Sequence, residues 1–313
     1  MGKFVLVIVG PTGSGKTSLS LTLSKKINSE IISADSRQFY KYLDIGTAKP
    51  SKAEMETVKH HLIDFLNPDE DYNVSKFEND ANEIIQSIHQ QNKVPVVVGG
   101  SGLYIKALVD GIFDTADRDD ELRINLKRLK DENGNVFIYE MLKKKDPEAA
   151  ATMLPQNWKR VIRALEVIEL TGKSILHHHS EQSKKSELNF IQIGLNWERE
   201  TLYKNIESRV DRMISSGLIK ETENILSMGY SGNLNSLNTV GYKEIISFLK
   251  NEITLDKAIE LIKRNTRRYA KRQMTWFKAD KRINWYDITS VDEIYSLSEK
   301  ILSLHRSELE NIS

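Results

Sequence analysis

Gly10-Pro-Thr-Gly-Ser-Gly-Lys-Thr17 decides the fold. The stretch matches G-x-x-x-x-G-K-[ST] in full, and its neighbours have the texture that the motif requires. Phe4-Val-Leu-Val-Ile-Val9 before it is a continuous apolar, β-branched run. It predicts a strand buried on both faces, as in a parallel sheet. After it, Leu19, Leu23 and Ile27 recur every four residues, the stripe of a helix. Gly10, Gly13 and Gly15, with Pro11, Thr12 and Ser14 between them, let backbone N–H groups converge on phosphate oxygens. The helix N-terminus adds partial positive charge. Lys16 supplies a cation to the terminal phosphate, and Thr17 offers a hydroxyl to Mg2+. The pattern specifies a diphosphate or triphosphate clamp of the kind nucleotide- and ATP-binding proteins use. It leaves open which bond breaks.

Outward from the loop, strands and helices alternate. Residues 30–34 read as a second strand ending at Asp35, residues 75–91 as a helix, and residues 94–98 as a third buried strand running into Gly99-Gly-Ser-Gly102. The expected fold is α/β, a P-loop NTPase-like, doubly wound parallel sheet. Residues 116–186 are charge-rich and helical in pattern, and predict a mainly helical insertion domain between core segments 1–115 and 187–313. Residues 188–195 return to the sheet; the remainder reads as helices over 199–228, 241–250, 254–278 and 291–309.

Composition removes several classes. The 313 residues include no cysteine, which excludes disulfides, thiolate metal sites and a cysteine nucleophile. No apolar run approaches the ~20 residues of a membrane helix, so the expected location is the cytoplasm. The net charge of +1 hides a concentration. Nine Lys or Arg and one acid lie between Lys263 and Arg282, nine minus one giving +8. Such a tract fits a polyanionic partner or a solvated helix face. The equipment of a motor or switch NTPase is missing, because the strand at 94–98 ends in glycines and no Asn-Lys-x-Asp guanine reader is present. A small-molecule kinase stays open. Asp35, at the carboxyl end of a strand beside the loop, is placed for general-base work or for outer-sphere support of a magnesium ion. The plain alternative is a helix N-cap.

Eight ordered motifs then identify a resemblance. They are Gly10–Thr17, Asp-Ser-Arg-Gln-Phe-Tyr (35–40), Gly-Thr-Ala-Lys-Pro (46–50), His-His-Leu-Ile-Asp (60–64), Gly-Gly-Ser-Gly-Leu-Tyr (99–104), Arg-Val-Ile-Arg-Ala-Leu-Glu (160–166), Val-Gly-Tyr-Lys-Glu (240–244) and Arg-Arg-Tyr-Ala-Lys-Arg-Gln-Met-Thr-Trp-Phe (267–277). The chain resembles the tRNA dimethylallyltransferases in their compact bacterial form. The resemblance implies transfer of a dimethylallyl group from dimethylallyl diphosphate to the exocyclic amine of adenosine 37 in the tRNA anticodon stem-loop. It implies Mg2+ as cofactor and a monomer. Asp35 would take a proton from that amine, and Lys16, Thr17 and Arg209 would draw charge onto the leaving diphosphate. Ser101 and Arg123 match positions of nucleic-acid contact. Asp35, Ser36, Arg37 and Gln38 would line the tRNA path, with Asn157, Lys159, Arg160 and Val161, with Thr239, Gly241, Tyr242 and Lys243, and with Arg267, Arg268, Lys271, Arg272 and Lys278. The sequence departs from the family with Ser101 where threonine is usual, and with Leu154-Pro-Gln-Asn157 where His-Pro-Asn-Asp is usual.

Other features take plainer readings. His177-His-His179 reads as a solvent-facing end of an insertion helix, since adjacent helical residues point different ways. His60 and His61 read as supports for the loop before Asp64. Ile262, Tyr269, Gln273 and Trp276 share a helix face that reads as core, and the acidic 110–121 stretch as a solvated loop. A kinase, or an RNA-binding protein with a vestigial loop, competes with prenyl transfer. Intact Lys16, Thr17 and Asp35 argue against the second, and the +8 tract and the insertion against the first.

Overall fold

The computed structural model describes residues 3–111, 119–181 and 187–310. The chain forms two compact units, residues 1–109 with 186–313 and residues 110–185.

The first unit begins with β1 (Lys3–Val9), α1 (Lys16–Lys26), β2 (Ile31–Ser33), α2 (Lys52–Thr57), β3 (His60–His61), α3 (Val74–Gln90), β4 (Val96–Gly99) and α4 (Gly102–Asp110). The second unit holds α5 (Asp120–Asn133), α6 (Asn135–Lys145), α7 (Pro147–Ala151), a 3-10 turn at Pro155–Asn157, α8 (Trp158–Thr171) and α9 (Ile175–Glu181). The first unit resumes with β5 (Leu188–Trp197), α10 (Arg199–Ser215), α11 (Leu218–Ser227), α12 (Tyr242–Leu249), α13 (Leu255–Lys278), β6 (Asn284–Ile288), α14 (Glu293–Leu304) and α15 (Arg306–Glu310).

The six strands make one parallel sheet in the order β3-β2-β4-β1-β5-β6. β1 is central because its side chains are apolar on both sides. Val5, Val7 and Val9 enter one core with Phe77, Ala81, Ile85 and Ile88 of α3. Leu6 and Ile8 enter another with Leu19 and Leu23 of α1 and Ile294, Leu297 and Ile301 of α14. Strand side chains alternate between faces, so a run without polar residues is stable only where helices cover both. This is the doubly wound arrangement, and it puts the strand C-termini of β1, β2 and β4 along one edge. The second unit has its own core, in which Leu126, Ile138 and Leu142 meet Val161, Ile162 and Leu165.

Four expectations are corrected. The helix over 199–228 breaks at Ser216-Gly217, where Gly217 has φ +102°. The left-handed region favours glycine, and the chain turns there. The stretch 291–309 likewise divides at His305. Two edge strands are unexpected: β3 lies in a region read as loop, and β6 falls between the spans read as helices. His178, read as solvent-facing, is buried, and its Nε2 lies 3.0 Å from the Thr171 hydroxyl. Residues 112–118 of the acidic stretch lie outside the described residues.

Candidate active site

The phosphate loop joins β1 to α1. Gly15 at the N-cap of α1 has φ +87°. Its Cα faces the Ile294 side chain so closely that a Cβ would collide. The loop is braced from outside: the Trp197 indole N–H donates to the Ser14 carbonyl at 3.0 Å, and the Thr12 N–H donates to Gln273 Oε1 at 2.8 Å.

A cavity of about 380 Å3 opens over the loop, entirely within the first unit. Lys16, Thr17, Asp35, Arg209, Thr239 and Arg272 are among its walls. Two cations, both half-buried, face it. The Lys16 ammonium is lowered to about 7, first by burial and then by the nearby Arg209 guanidinium, while Asp35 acts in the opposite direction. Arg209 is lowered as well, mainly by burial. Lys16 Nζ meanwhile donates to the Pro11 carbonyl at 2.8 Å. Two partly desolvated cations close to each other, with one carboxylate nearby, form a site that gains when an anion enters.

Asp35 sits where β2 ends. Its Oδ1 accepts the Arg37 N–H at 3.0 Å in a tight turn, and no α-helix follows. The helix-cap reading is therefore replaced by a turn. The next residue is tied to the β4 end: Ser36 N–H donates to Ser101 Oγ at 3.1 Å, and the two hydroxyls are 3.3 Å apart. Ser101 thus bears on the Asp35 turn through its hydroxyl, a group that serine and threonine share.

The far wall is the loop 44–50. Glu221 Oε2 accepts from the N–H groups of Asp44 (3.2 Å) and Ile45 (2.8 Å), and its Oε1 from Gly46 N–H (3.2 Å) and the Tyr242 hydroxyl (2.5 Å). Lys49 Nζ bonds the Tyr40 carbonyl at 2.9 Å and pairs with Asp44 at 2.5 Å and Asp64 at 2.7 Å. Of the two histidines, His60 bonds the Val58 carbonyl and His61 bonds Glu30.

The IPP transferase family model matches residues 38–280. A tRNA dimethylallyltransferase of Alkaliphilus oremlandii is 46% identical over 96% of this chain and 97% of its own. Another, of Acetivibrio thermocellus, is 47% identical over 95% of both. The chain belongs to this family. Among solved structures, the tRNA isopentenylpyrophosphate transferase of Bacillus halodurans aligns with TM-score 0.71 and 39% identity over 99% of both chains. A eukaryotic dimethylallyltransferase captured acting on tRNA aligns with TM-score 0.85 and 30% identity, over 99% of this chain and 80% of that one. The transferase fold is thus a P-loop NTPase-like α/β sheet, and the kinase alternative is not favoured.

The residues expected along the tRNA path fall into distinct groups in the transferase. Ser36, Arg37, Gln38, Thr239, Gly241, Lys243 and Arg272 line the same cavity as Asp35. Gln38 has its amide engaged: Oε1 accepts from Ser33 Oγ at 3.2 Å, and Nε2 donates to the carbonyls of Thr47 (3.3 Å) and Ala48 (3.1 Å). In the second unit, Asn157, Lys159 and Arg160 are exposed. Arg123 forms a two-pronged pair with buried Glu166. Two side chains are corrected: Val161 is fully buried in the second unit's core, and Tyr242 is fully buried against Glu221. Neither side chain reaches a nucleic acid; each supports its neighbours.

The basic tract is sorted in the same way. Arg267 is held by Glu207 at 2.5 Å and Lys263 by Asp211 at 2.6 Å, both on α10. Arg268, Lys271, Arg272 and Lys278 are exposed and form no ion pair among the described residues. The face read as core is only partly so. Ile262 and Gln273 are buried, whereas Trp276 is 40% exposed, its ring lying over Gly102. Gln273, Glu221 and Trp197 are the site supports that sequence reasoning missed. The available signal was a polar residue, Gln273, on the apolar stripe of α13.

Proposed function

We propose that this transferase moves a dimethylallyl group from dimethylallyl diphosphate to N6 of adenosine 37 in the tRNA anticodon stem-loop, releasing diphosphate. The observation that carries this reading is the half-buried pair Lys16 and Arg209, facing one cavity with the Asp35 carboxylate. A neutral adenine amine is a poor nucleophile, so the donor has to be activated through its leaving group. Preorganised cations do this best where water is excluded. The amine nitrogen forms its bond to the allylic carbon as the carbon–oxygen bond breaks, and the electron pair leaves on diphosphate. Asp35 accepts the amine proton. The adenine has to leave its stack to reach the cavity.

Thr17 is the residue that would hold Mg2+. Its hydroxyl wall is a hard oxygen donor, and no group of three or more His, Cys, Asp or Glu able to hold a metal occurs among the described residues. That donor set suits an ion that takes most of its ligands from phosphate and water. Bound there, the ion would neutralise charge on the departing diphosphate. We place the transferase in the cytoplasm as a monomer; among the described residues no helix is long and apolar enough to cross a membrane.

Two stem-loop RNAs test the reading, one with adenosine and one with guanosine at position 37. Labelled dimethylallyl diphosphate is expected to label only the first. Equal labelling of both, or of neither, would contradict it.

The exposed part of α13 would meet the tRNA backbone. Arg272 also lines the donor cavity, so the cleaner pair to reverse is Arg268 and Lys271. Removing a cation from one phosphate lowers the log–log salt slope by somewhat under one. Arg268→Glu with Lys271→Glu should weaken tRNA binding and flatten its salt dependence, with the donor KM unchanged within about twofold. Titrations at several salt concentrations check this, and parallel slopes would make the tract a solvated face.

A further inference from the structure

Gln273 joins the phosphate loop to the end of β4 across the cavity wall. It lies in α13 and is buried. Its Oε1 accepts the Thr12 N–H of the phosphate loop at 2.8 Å, and its Nε2 donates to the Gly100 carbonyl at 2.9 Å. Thr12 follows β1 and Gly100 follows β4, and these strands are neighbours in the sheet. The Gly100 carbonyl belongs to the peptide that leads into Ser101, whose hydroxyl holds the Ser36 N–H beside Asp35. A continuous path therefore runs from the diphosphate cradle through one side-chain amide to the turn that carries the carboxylate. There is no slack in it. A Cβ at Gly100 would run into the Gln273 amide, and one at Gly99 into the Ala34 carbonyl.

We propose that Gln273 is a positioning residue that fixes the distance between the leaving diphosphate and the proton-accepting carboxylate. This rests on the reaction assigned above. Prenyl transfer needs the allylic carbon, held through its diphosphate, and the adenine nitrogen, held near Asp35, at near-attack separation. A displacement of about 1 Å costs on the order of a hundredfold in rate. Only an amide fits the clamp. Its oxygen meets a donor and its nitrogen meets an acceptor, so a residue with two acceptors or with none breaks one end or both. Arg272, the preceding residue, lies on the cavity wall and Arg268 is exposed one turn earlier. The helix expected to hold the tRNA backbone is thus pinned at this point to the loop that holds the donor.

Gln273→Met and Gln273→Glu test the proposal together. Methionine keeps the bulk and loses both hydrogen bonds. Glutamate has nearly the shape of glutamine, but sets a second acceptor against the Gly100 carbonyl. A packing role predicts that glutamate stays near wild type. The clamp predicts the order Gln, then Met, then Glu, with kcat down about a hundredfold in the methionine variant and further in the glutamate variant. The donor KM and the dissociation constant for inorganic diphosphate should rise three- to tenfold, and the KM for tRNA should stay within twofold. Circular dichroism and thermal melting establish that each variant is folded. Activity within threefold of wild type for both variants, or glutamate above methionine, would overturn the proposal. If the wild-type protein itself transfers no prenyl group, the reaction assigned above has failed, and calorimetric titration with inorganic diphosphate judges Gln273 alone. Diphosphate affinity within twofold of wild type in both variants would overturn the clamp.

Discussion

Asp35→Asn should reduce the rate of prenyl transfer by about 10²–10⁴-fold, the range for loss of a general base. The substitution is chosen because the local structure survives it. Asp35 Oδ1 accepts the Arg37 N–H at 3.0 Å, and an asparagine carbonyl oxygen can accept the same bond. The turn keeps its shape while the group that takes the proton is gone. The loss should fall mainly on kcat, since the donor is held by the phosphate loop and Arg209. Rapid-quench single-turnover measurements on labelled donor give the chemical step directly. A change under threefold in a folded variant would reduce Asp35 to a former of turns.

Lys16→Ala is the second large effect. Desolvation and the neighbouring Arg209 lower the Lys16 ammonium to about 7 and so disfavour its charge. A diphosphate reverses that balance, because an anion at contact distance stabilises the cation. A hydrogen bond between charged groups contributes about 1.5–3 kcal/mol, so donor affinity should fall about 10–100-fold. Charge on the bridging oxygen grows as the carbon–oxygen bond breaks. Removing one preorganised donor from such a position costs about 10²–10³ in kcat. The affinity for tRNA should stay within about twofold, since the lysine is aimed at the small substrate. Calorimetric titration with inorganic diphosphate and separate RNA binding measurements check the partition. Equal losses for both ligands would contradict it.

Local features of the chain were legible because they are written in consecutive residues. The apolar run of β1, the glycine loop and the α1 stripe form one unit, and each predicts the next. β1 could only be buried on both faces, and the parallel sheet follows from that. The edge strands were not legible for the converse reason. β3 has two residues, His60 and His61, and β6 reads Asn-Trp-Tyr-Asp-Ile, with too few apolar residues to stand out. The break in 199–228 rests on Gly217, where a helical pattern continues on either side of the glycine.

The site divides along the same line. Lys16, Thr17 and Asp35 stand beside strand ends, and their places follow from local pattern. Gln273 and Glu221 act across 261 and 175–177 residues of sequence, on Thr12 and on the N–H groups of 44–46. No periodicity records such partners. A helix stripe shows that Gln273 faces inward, but not that a loop and a strand end converge on it. Val161 and Tyr242 show the opposite error. They lie inside motifs that the resemblance associates with tRNA, while their own side chains pack the cores under those motifs.

The most direct test of the account offers the enzyme a prenyl donor and a phosphoryl donor together. Unmodified tRNA is incubated with the protein, Mg2+ and equal concentrations of dimethylallyl diphosphate and ATP, then digested to nucleosides and resolved by mass spectrometry. The account predicts N6-(dimethylallyl)adenosine from position 37, one diphosphate released for each modified nucleoside, and no consumption of ATP. Unmodified adenosine at that position, with ATP hydrolysed or its phosphate transferred, would contradict it.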